Sequence, residues 1–363
     1  MNRLERLRAE LGLESGLILV VLLLLALGPV IFSGYWISFI LTQSLLLGIA
    51  AASLIFLSAY GGMVSLAQVS LYGIAGFTLG NVVTAGETKG LNLGWDPWLG
   101  VVLAVGVATA VGLLFGAIAS RATGIYFLMI TLTFSVLANV FFGQVTLLSG
   151  FGGISNIDSH TPGLVGDPDS DPNRLYYITL VVALLVYLLV RYLVRTPFGL
   201  SLQGVRDDPV RLRALGFNVA LHRTLAFGLA AFVASIAGVL FVWWNGHIDP
   251  ATIDLTAVLD LLIIAVIGGL YRLEGAWLGA FVFVVINNYI RDFGFLDTQF
   301  FNDLGLGNNR FHTYVGVIFL LIVLLSPGGL LGIAERLRTQ VAKSRGRGRI
   351  GRRRPAVEKP GVP

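Results

Sequence analysis

The sequence predicts an all-α polytopic membrane protein, and three observations carry that reading. The 363-residue chain is 56% hydrophobic and 12% charged, where soluble domains average roughly 45–50% apolar and about 25% charged residues. Its apolar residues gather into runs long enough to cross a bilayer. Its basic residues fall almost wholly on one side of those runs. So large an apolar excess excludes an ordinary soluble enzyme and a disordered chain. The absence of Cys excludes a disulfide-stapled secreted domain.

A membrane helix needs roughly 20 mostly apolar residues to cross about 30 Å of hydrocarbon. Ten such runs stand between charges or Gly, Pro and Asn clusters: about 17–33, 36–59, 63–85, 98–119, 124–147, 175–194, 222–244, 254–270, 275–291 and 312–333. The third is weakly apolar, with Ser65, Gln68, Ser70, Gly73, Gly76, Thr78 and Gly80. The eighth is short and carries Asp260, the clear carboxylate inside a span, near its start. Residues 1–16 form a short basic cytoplasmic stretch, 17–333 the transmembrane domain, and 334–363 a basic Arg- and Gly-rich tail predicted to be disordered. The first run is read as a retained span and not a signal peptide, because apolar chain continues at once beyond Ala26-Leu27-Gly28.

Charge tests this count. With the N-terminus inside, 21 of the 25 basic residues face the cytoplasm and 4 face outside, the bias of the positive-inside rule. Adding or dropping one span would flip either the Arg-rich inside loop 195–222 or the tail. Ten spans with both termini cytoplasmic therefore fit best, and ten divides into an inverted five-plus-five repeat, a common transporter plan. The outside loop 148–174 gathers Asp158, Asp167, Asp169 and Asp171; the sequence leaves open whether it forms a helix or a hairpin.

The inventory of reactive groups points away from catalysis. His160, His222, His247 and His312 are isolated, so no zinc pair is written in the chain. No Gly-x-x-x-x-Gly-Lys-[Ser/Thr] phosphate loop is present. Ion-coupled carriers bury several ionisable groups at mid-membrane, and Asp260 alone is thin support for one. The tail lacks interleaved aromatic residues for stacking bases. Its arginines read as topology signals that touch anionic membrane lipid, with no nucleic-acid partner.

Four segments carry more specific information. In Tyr60-Gly61-Gly62-Met63-Val64-Ser65-Leu66-Ala67-Gln68, the glycines permit a sharp turn and close backbone approach. Gln68 and Ser65 then enter the third span as polar candidates for the substrate pathway. In the inside loop, Arg206-Asp207-Asp208-Pro209 leads through Arg211 and Arg213 to Leu215-Gly216. Asp208 is a natural N-cap, Pro209 suits the first helical position and Gly216 the stop, which predicts a surface helix of about six residues. That helix is either part of a solvated loop or a docking element. The third segment runs from Asp260 through Gly268-Gly269-Leu270-Tyr271-Arg272-Leu273-Glu274-Gly275 to Gly279. It repeats the Gly-Gly turn, with Arg272 and Glu274 close enough in sequence to pair. The fourth, Ser326-Pro327-Gly328-Gly329-Leu330, ends the last span.

In this order the four segments resemble the membrane permeases of ATP-binding-cassette importers for branched-chain amino acids, and among these the larger, M-type permease. Thr123-Gly124-Ile125-Tyr126-Phe127 with Thr131 and Thr133, the run Ser149–Ile154 and the loop Arg195-Thr196-Pro197-Phe198-Gly199 extend the likeness, which covers about 36–333. Ala67, Val210, Arg211, Arg213, Tyr271 and Asp260 depart from the family's usual residues. The resemblance implies a non-enzymatic, multi-pass subunit of a prokaryotic cell membrane, binding no cofactor of its own. Its implied partners are a second permease, two cytoplasmic ATPases that use the ATP, and an extracytoplasmic binding protein that delivers cargo. Gln68, Ser65, Thr131 and Thr133 are then expected along the substrate path, Arg206–Gly216 at the ATPase, and Gly61, Gly62, Gly268, Gly269, Gly275 and Gly279 as structural glycines. Urea, amides or other small polar solutes are the alternative cargo, and a secondary carrier acting alone the alternative mechanism.

Overall fold

The computed structural model describes residues 27–86, 89–163, 165–166 and 172–292, with Leu25, Gly316, Leu320, Gly329 and Gly332 besides. Most of the first predicted span, most of the tenth, the segment 1–16 and the tail 334–363 lie outside the described residues. The helices are α1 (Gly28–Ile31), α2 (Gln43–Gly61, entered through a π-helical stretch Trp36–Thr42), α3 (Gln68–Val83), α4 (Pro97–Ala119), α5 (Ile125–Gln144) and α6 (Pro172–Arg195). They continue with α7 (Pro197–Asp207), α8 (Pro209–Ala214), α9 (Val219–Asn245), α10 (Leu255–Gly268) and α11 (Gly275–Asp292). Among the described residues there is no strand, only one β-bridge between Ile154 and Ile248.

The starts of these helices are written locally. Asp96 accepts from the Trp98 amide ahead of Pro97, Asn218 from Leu221 and Asp254 from Ala257, each satisfying a donor that the first helical turn leaves unpaired. Among the described residues, five helices are long and apolar enough to cross a membrane: Trp36–Gly61, Pro97–Ala119, Ile125–Gln144, Asn173–Arg195 and Val219–Asn245. They match predicted spans two, four, five, six and seven. Two shorter apolar helices, Leu255–Gly268 and Gly275–Asn288, stand where spans eight and nine were expected. The third span differs more: its helix begins only at Gln68, and residues 62–67 are not helical. At 16 residues, α3 covers about 24 Å, less than the hydrocarbon core.

Burial ranks the helices. In the most apolar stretch of Trp36–Gly61, 89% of the residues are buried, and 72% in α9, against 22% in α4 and α6. A helix that is apolar all round must be covered all round, so α2 and α9 form the centre. The helices α3 and α4 pack on α9, while α10 and α11 pack on α2. The outward faces of α4, α5 and α6 carry bare Leu, Val, Ile and Phe side chains, as suits a lipid-facing surface.

Small residues set the spacing. Helices in a bilayer gain little from hiding apolar surface from one another, so close van der Waals fit holds them together. On α9, Gly238 lies against the backbone carbonyl of Tyr72 in α3, where no Cβ could fit. On α11, Gly279 approaches the Ile264 carbonyl and Gly268 of α10 in the same way.

The bundle has two distinct ends. One gathers α7, α8, the Gly61-Gly62 turn and the 269–274 turn, tied by a hydrogen bond from the Ser58 hydroxyl to the Leu270 carbonyl (2.9 Å). This is the arginine-rich end. There Glu274 accepts from the Tyr187 hydroxyl (3.0 Å), which in turn accepts from Arg191 (2.6 Å), so α6 is pinned to the α10–α11 turn. At the other end the Ile154–Ile248 bridge joins the loop after α5 to the turn after α9. Asn139 donates to the Pro250 carbonyl (2.6 Å) there. The loop left open by the sequence holds a short 3-10 helix, Asp158–His160, and this bridge.

The glycine spacing has a direct test. Gly238→Ala forces a methyl group into the Tyr72 backbone and should cost about 1–3 kcal/mol. That appears as a lower apparent melting temperature in detergent. Gly106→Ala, where nothing lies within 4 Å, should leave stability equal or slightly raised. Equal melting temperatures for Gly238→Ala and wild type would contradict the close approach of α3 and α9.

Candidate functional site

The break between α2 and α3 organises the most polar part of the interior. Gly62, at φ +64°, ends α2 in the left-handed conformation that glycine adopts without strain. Its amide and that of Met63 both turn back to the Leu57 carbonyl. The chain then runs without helix to Gln68, yet Met63, Ser65 and Ala67 are buried. Buried irregular backbone has to find partners outside a helix. Thr131 of α5 supplies one, accepting from the Leu66 amide (3.1 Å) while its hydroxyl donates to Leu128 (3.0 Å). The Ser65 hydroxyl supplies another, accepting from Ala67 (3.3 Å). Thr131 stands six residues beyond the start of α5, about 9 Å along the axis, so the break lies within the bundle.

Ser65, Gln68 and Thr131, three of the four residues expected along the substrate path, therefore gather at the break between α2 and α3. Gln68 is buried and its side-chain amide donates to the Ser65 hydroxyl (3.4 Å). Its Oε1 has no partner among the described residues. Turning the amide over would only leave Nε2 unpaired instead. Thr133 is placed elsewhere: it lies on the exposed face of α5 and its hydroxyl bonds to Met129 within the helix (2.9 Å).

A further residue, Ser135, joins the buried group. Leu66 meets Thr131, and Phe77 stacks on Phe142 at 4.0 Å between ring centres. Both pairs are 65 apart in sequence, so α3 and α5 run parallel and in step, which sets Ser135 level with Ser70. Ser135 is buried and its hydroxyl has no partner among the described residues. Its signal was its place one helical turn after Thr131. One further turn along, from Ile74 on α3 and Ala138 on α5, begins a cavity of about 450 Å³ with Val111 and Phe115 on its α4 side. Its lining is apolar, and Phe115 stacks on Phe134 (4.1 Å) beside Ser135. A polar layer with two unpaired atoms thus adjoins an apolar chamber.

The arginine-rich end holds the second candidate. The predicted helix is present as α8: the Asp208 carboxylate accepts from the Val210 (3.1 Å) and Arg211 (3.0 Å) amides, and Gly216 follows at φ +90°. The loop also contains a helix that the sequence reading missed, α7, capped by Thr196 with Pro197 at its first position. Leu202 and Val205 bury one side of α7. Arg206 lies across the Gly62 turn, where a Cβ on Gly62 would sit 2.6 Å from the arginine Cγ, and its guanidinium donates to the Ala59 carbonyl. Val210, Arg211, Arg213 and Leu215 remain exposed. Asp207 pairs with Arg206 (2.9 Å) at the surface, a contact of little energetic weight.

The other predicted glycines meet as well. Gly268 and Gly275 touch through their backbones, and Gly269 turns at φ +112°. A Cβ on Gly329, itself at φ +67°, would sit 2.6 Å from the Gly269 nitrogen, so the third and fourth motifs abut. Asp260 occupies the second turn of α10, half-buried. Among the described residues no group of three or more His, Cys, Asp or Glu could hold a metal ion.

Comparison with known proteins gives this arrangement its setting. The high-affinity branched-chain amino acid transport system permease protein LivM of Escherichia coli is 25% identical over 256 residues, 64% of this chain and 57% of that protein. The chain thus matches little more than half the length of that relative. The probable LivM of Methanocaldococcus jannaschii is 25% identical over 307 residues, 78% of this chain and 84% of its own. An autoinducer 2 import system permease protein, LsrC of Klebsiella pneumoniae, is 33% identical over 101 residues, 26% of this chain and 29% of its own. No solved structure matches. The family model described as branched-chain amino acid transport system / permease component matches residues 36–326, and the chain belongs to that family of multi-pass membrane permeases.

Proposed function

We propose that this chain is one permease subunit of an ATP-driven importer in a prokaryotic cell membrane, moving a branched-chain amino acid handed over by an external binding protein. A second permease and two cytoplasmic ATPases complete the complex, and this chain binds no cofactor. The observation that carries the reading is the contact of Arg206 with the Gly62 turn. It links an exposed helix pair, suited to dock a motor, to the broken segment that ends at Gln68. Movement of α7 is delivered to the polar layer within one stretch of about six residues. ATPases that close and open favour alternate positions of α7 by differential contact.

The chemistry of the interior supports the cargo. An aliphatic amino acid has charged groups that need hydrogen bonds and a side chain that does not. Gln68, Ser65 and Ser135 offer the former, with Thr131 holding the segment in place, and the chamber beside Ala138 offers the latter. The helix packing supports two inverted halves, α4 leaning on α9 and α3 as α11 leans on α2 and α10. The charge bias supports ten spans with both termini inside.

Two experiments test the reading. Gln68→Met removes a buried amide with an unpaired atom, so thermal stability should hold or rise. ATP-dependent leucine uptake by the reconstituted complex should fall at least about tenfold, the weight of roughly one lost hydrogen bond to a charged group. Unchanged uptake would remove Gln68 from the path. In the second, Val210→Asp with Leu215→Asp should abolish co-purification of the ATPase. Arg206→Ala should keep co-purification and lose coupled uptake. Robust uptake by liposomes holding this chain alone would instead identify an autonomous carrier.

A further inference from the structure

Arg223 is a buried cation for which the protein supplies no counter-charge among the described residues. It stands in the second turn of α9 and is only 9% exposed. Its Nε has no hydrogen-bond partner. The charged group that acts on it is another cation, Arg213 of α8. Buried charges are ordinarily paired, since the desolvation penalty is otherwise uncompensated.

Its position is set by the α4–α9 seam. A Cβ on Gly116 would meet Phe227, and one on Gly112 would meet Ala231. These antiparallel contacts step by one turn on each helix, so the next step places Arg223 level with Ser120, the residue that follows α4. Arg121 follows it directly and is exposed. Arg223 and Arg213 thus lie together where α4 ends and α9 begins, with Arg121 two residues beyond the end of α4. On the same two helices Ile118 (58%) and Leu225 (41%) are bare. The cations therefore sit at the level where an apolar, lipid-facing surface gives way to a polar end.

We propose that Arg223, with Arg213, binds the phosphate of an anionic phospholipid in the inner leaflet. A guanidinium matches two phosphate oxygens with parallel hydrogen bonds, and basic pockets between transmembrane helices on the cytoplasmic side are suited to such headgroups. The site is separate from the polar layer at Gln68 and does not depend on what the chain transports.

Native mass spectrometry of the purified chain, exchanged into mixed micelles of phosphatidylglycerol or phosphatidylcholine, tests the site. Wild type should retain phosphatidylglycerol preferentially. Arg223→Gln should reduce that preference about fivefold, the weight of one basic group at an anionic surface. An unchanged preference in Arg223→Gln overturns the proposal. Displacement of phosphatidylglycerol by soluble glycerol 3-phosphate would show that the anion is a free phosphate and no lipid, and would also overturn it. So would loss of ATPase co-purification with lipid preference intact, which would assign Arg223 to an acidic group on the ATPase. Should Arg223→Gln fail to fold, Arg213→Gln, at an exposed position, should weaken the preference by a similar factor, and no change there counts against the site.

Discussion

Backbone amides and carbonyls in a bilayer have no water to fall back on, and this constraint shapes everything around α2 and α3. A continuous helix meets it within itself. Here α2 stops at Gly61-Gly62 and the chain runs six residues before α3 resumes. Partners for that stretch come from the Leu57 carbonyl, which takes up the Gly62 and Met63 amides, and from nearby side chains. Thr131 takes up the Leu66 amide and Ser65 the Ala67 amide. The polar side chains near the break are therefore first of all structural, because without them the break could not exist. Gln68 and Ser135 stand out against that background, since each keeps a buried polar atom that nothing in the described structure uses. Buried unpaired atoms cost free energy, and functional sites are where such costs are retained.

The same break explains how an exposed surface helix can act on the interior. A straight helix under α7 would move as a rod and carry its whole packed face along. A non-helical hinge at Gly62 can shift while α2 and α9 stay locked by close packing. Arg206 grips the turn from one side through both its stem and its guanidinium. The Ser58–Leu270 hydrogen bond ties the same turn to the second Gly-Gly pair, against which Gly329 packs. All four motifs thus meet within one connected set of contacts, the second through Arg206 of α7.

Legibility in the sequence followed the range of the interactions. The α8 helix could be read in full, because Asp208, Pro209 and Gly216 act on their immediate neighbours. Thr196-Pro197 carries the same start signal for α7, while Gly199 and Gly204 lower the intrinsic helix propensity of the stretch. Those glycines serve packing, Gly199 against the Leu193–Val194 backbone and Gly204 against Leu212. The break at 62–67 was hidden because Met63, Val64, Leu66 and Ala67 continue an apolar run. What ends the helix is the turn at Gly62 and a hydrogen bond from a residue 65 positions away, which spacing does not announce. The separation of Thr131 from Thr133 follows from helix geometry, since residues two apart point to nearly opposite sides. The same geometry singles out Ser135, one turn beyond Thr131.

A sparse interior suits a permease driven from outside. A pathway lined with strong polar contacts would hold its cargo, and passage needs a site that can be left as readily as entered. In the proposed importer, one polar layer next to an apolar pocket would offer an amino acid a brief halt and little reason to stay. Selection would then rest with the binding protein and energy with the ATPases. The spans also carry few ionisable groups, which leaves little for coupling to an ion gradient. Asp260, half-buried in the second turn of α10, lies on a different helix from the polar layer of α3 and α5.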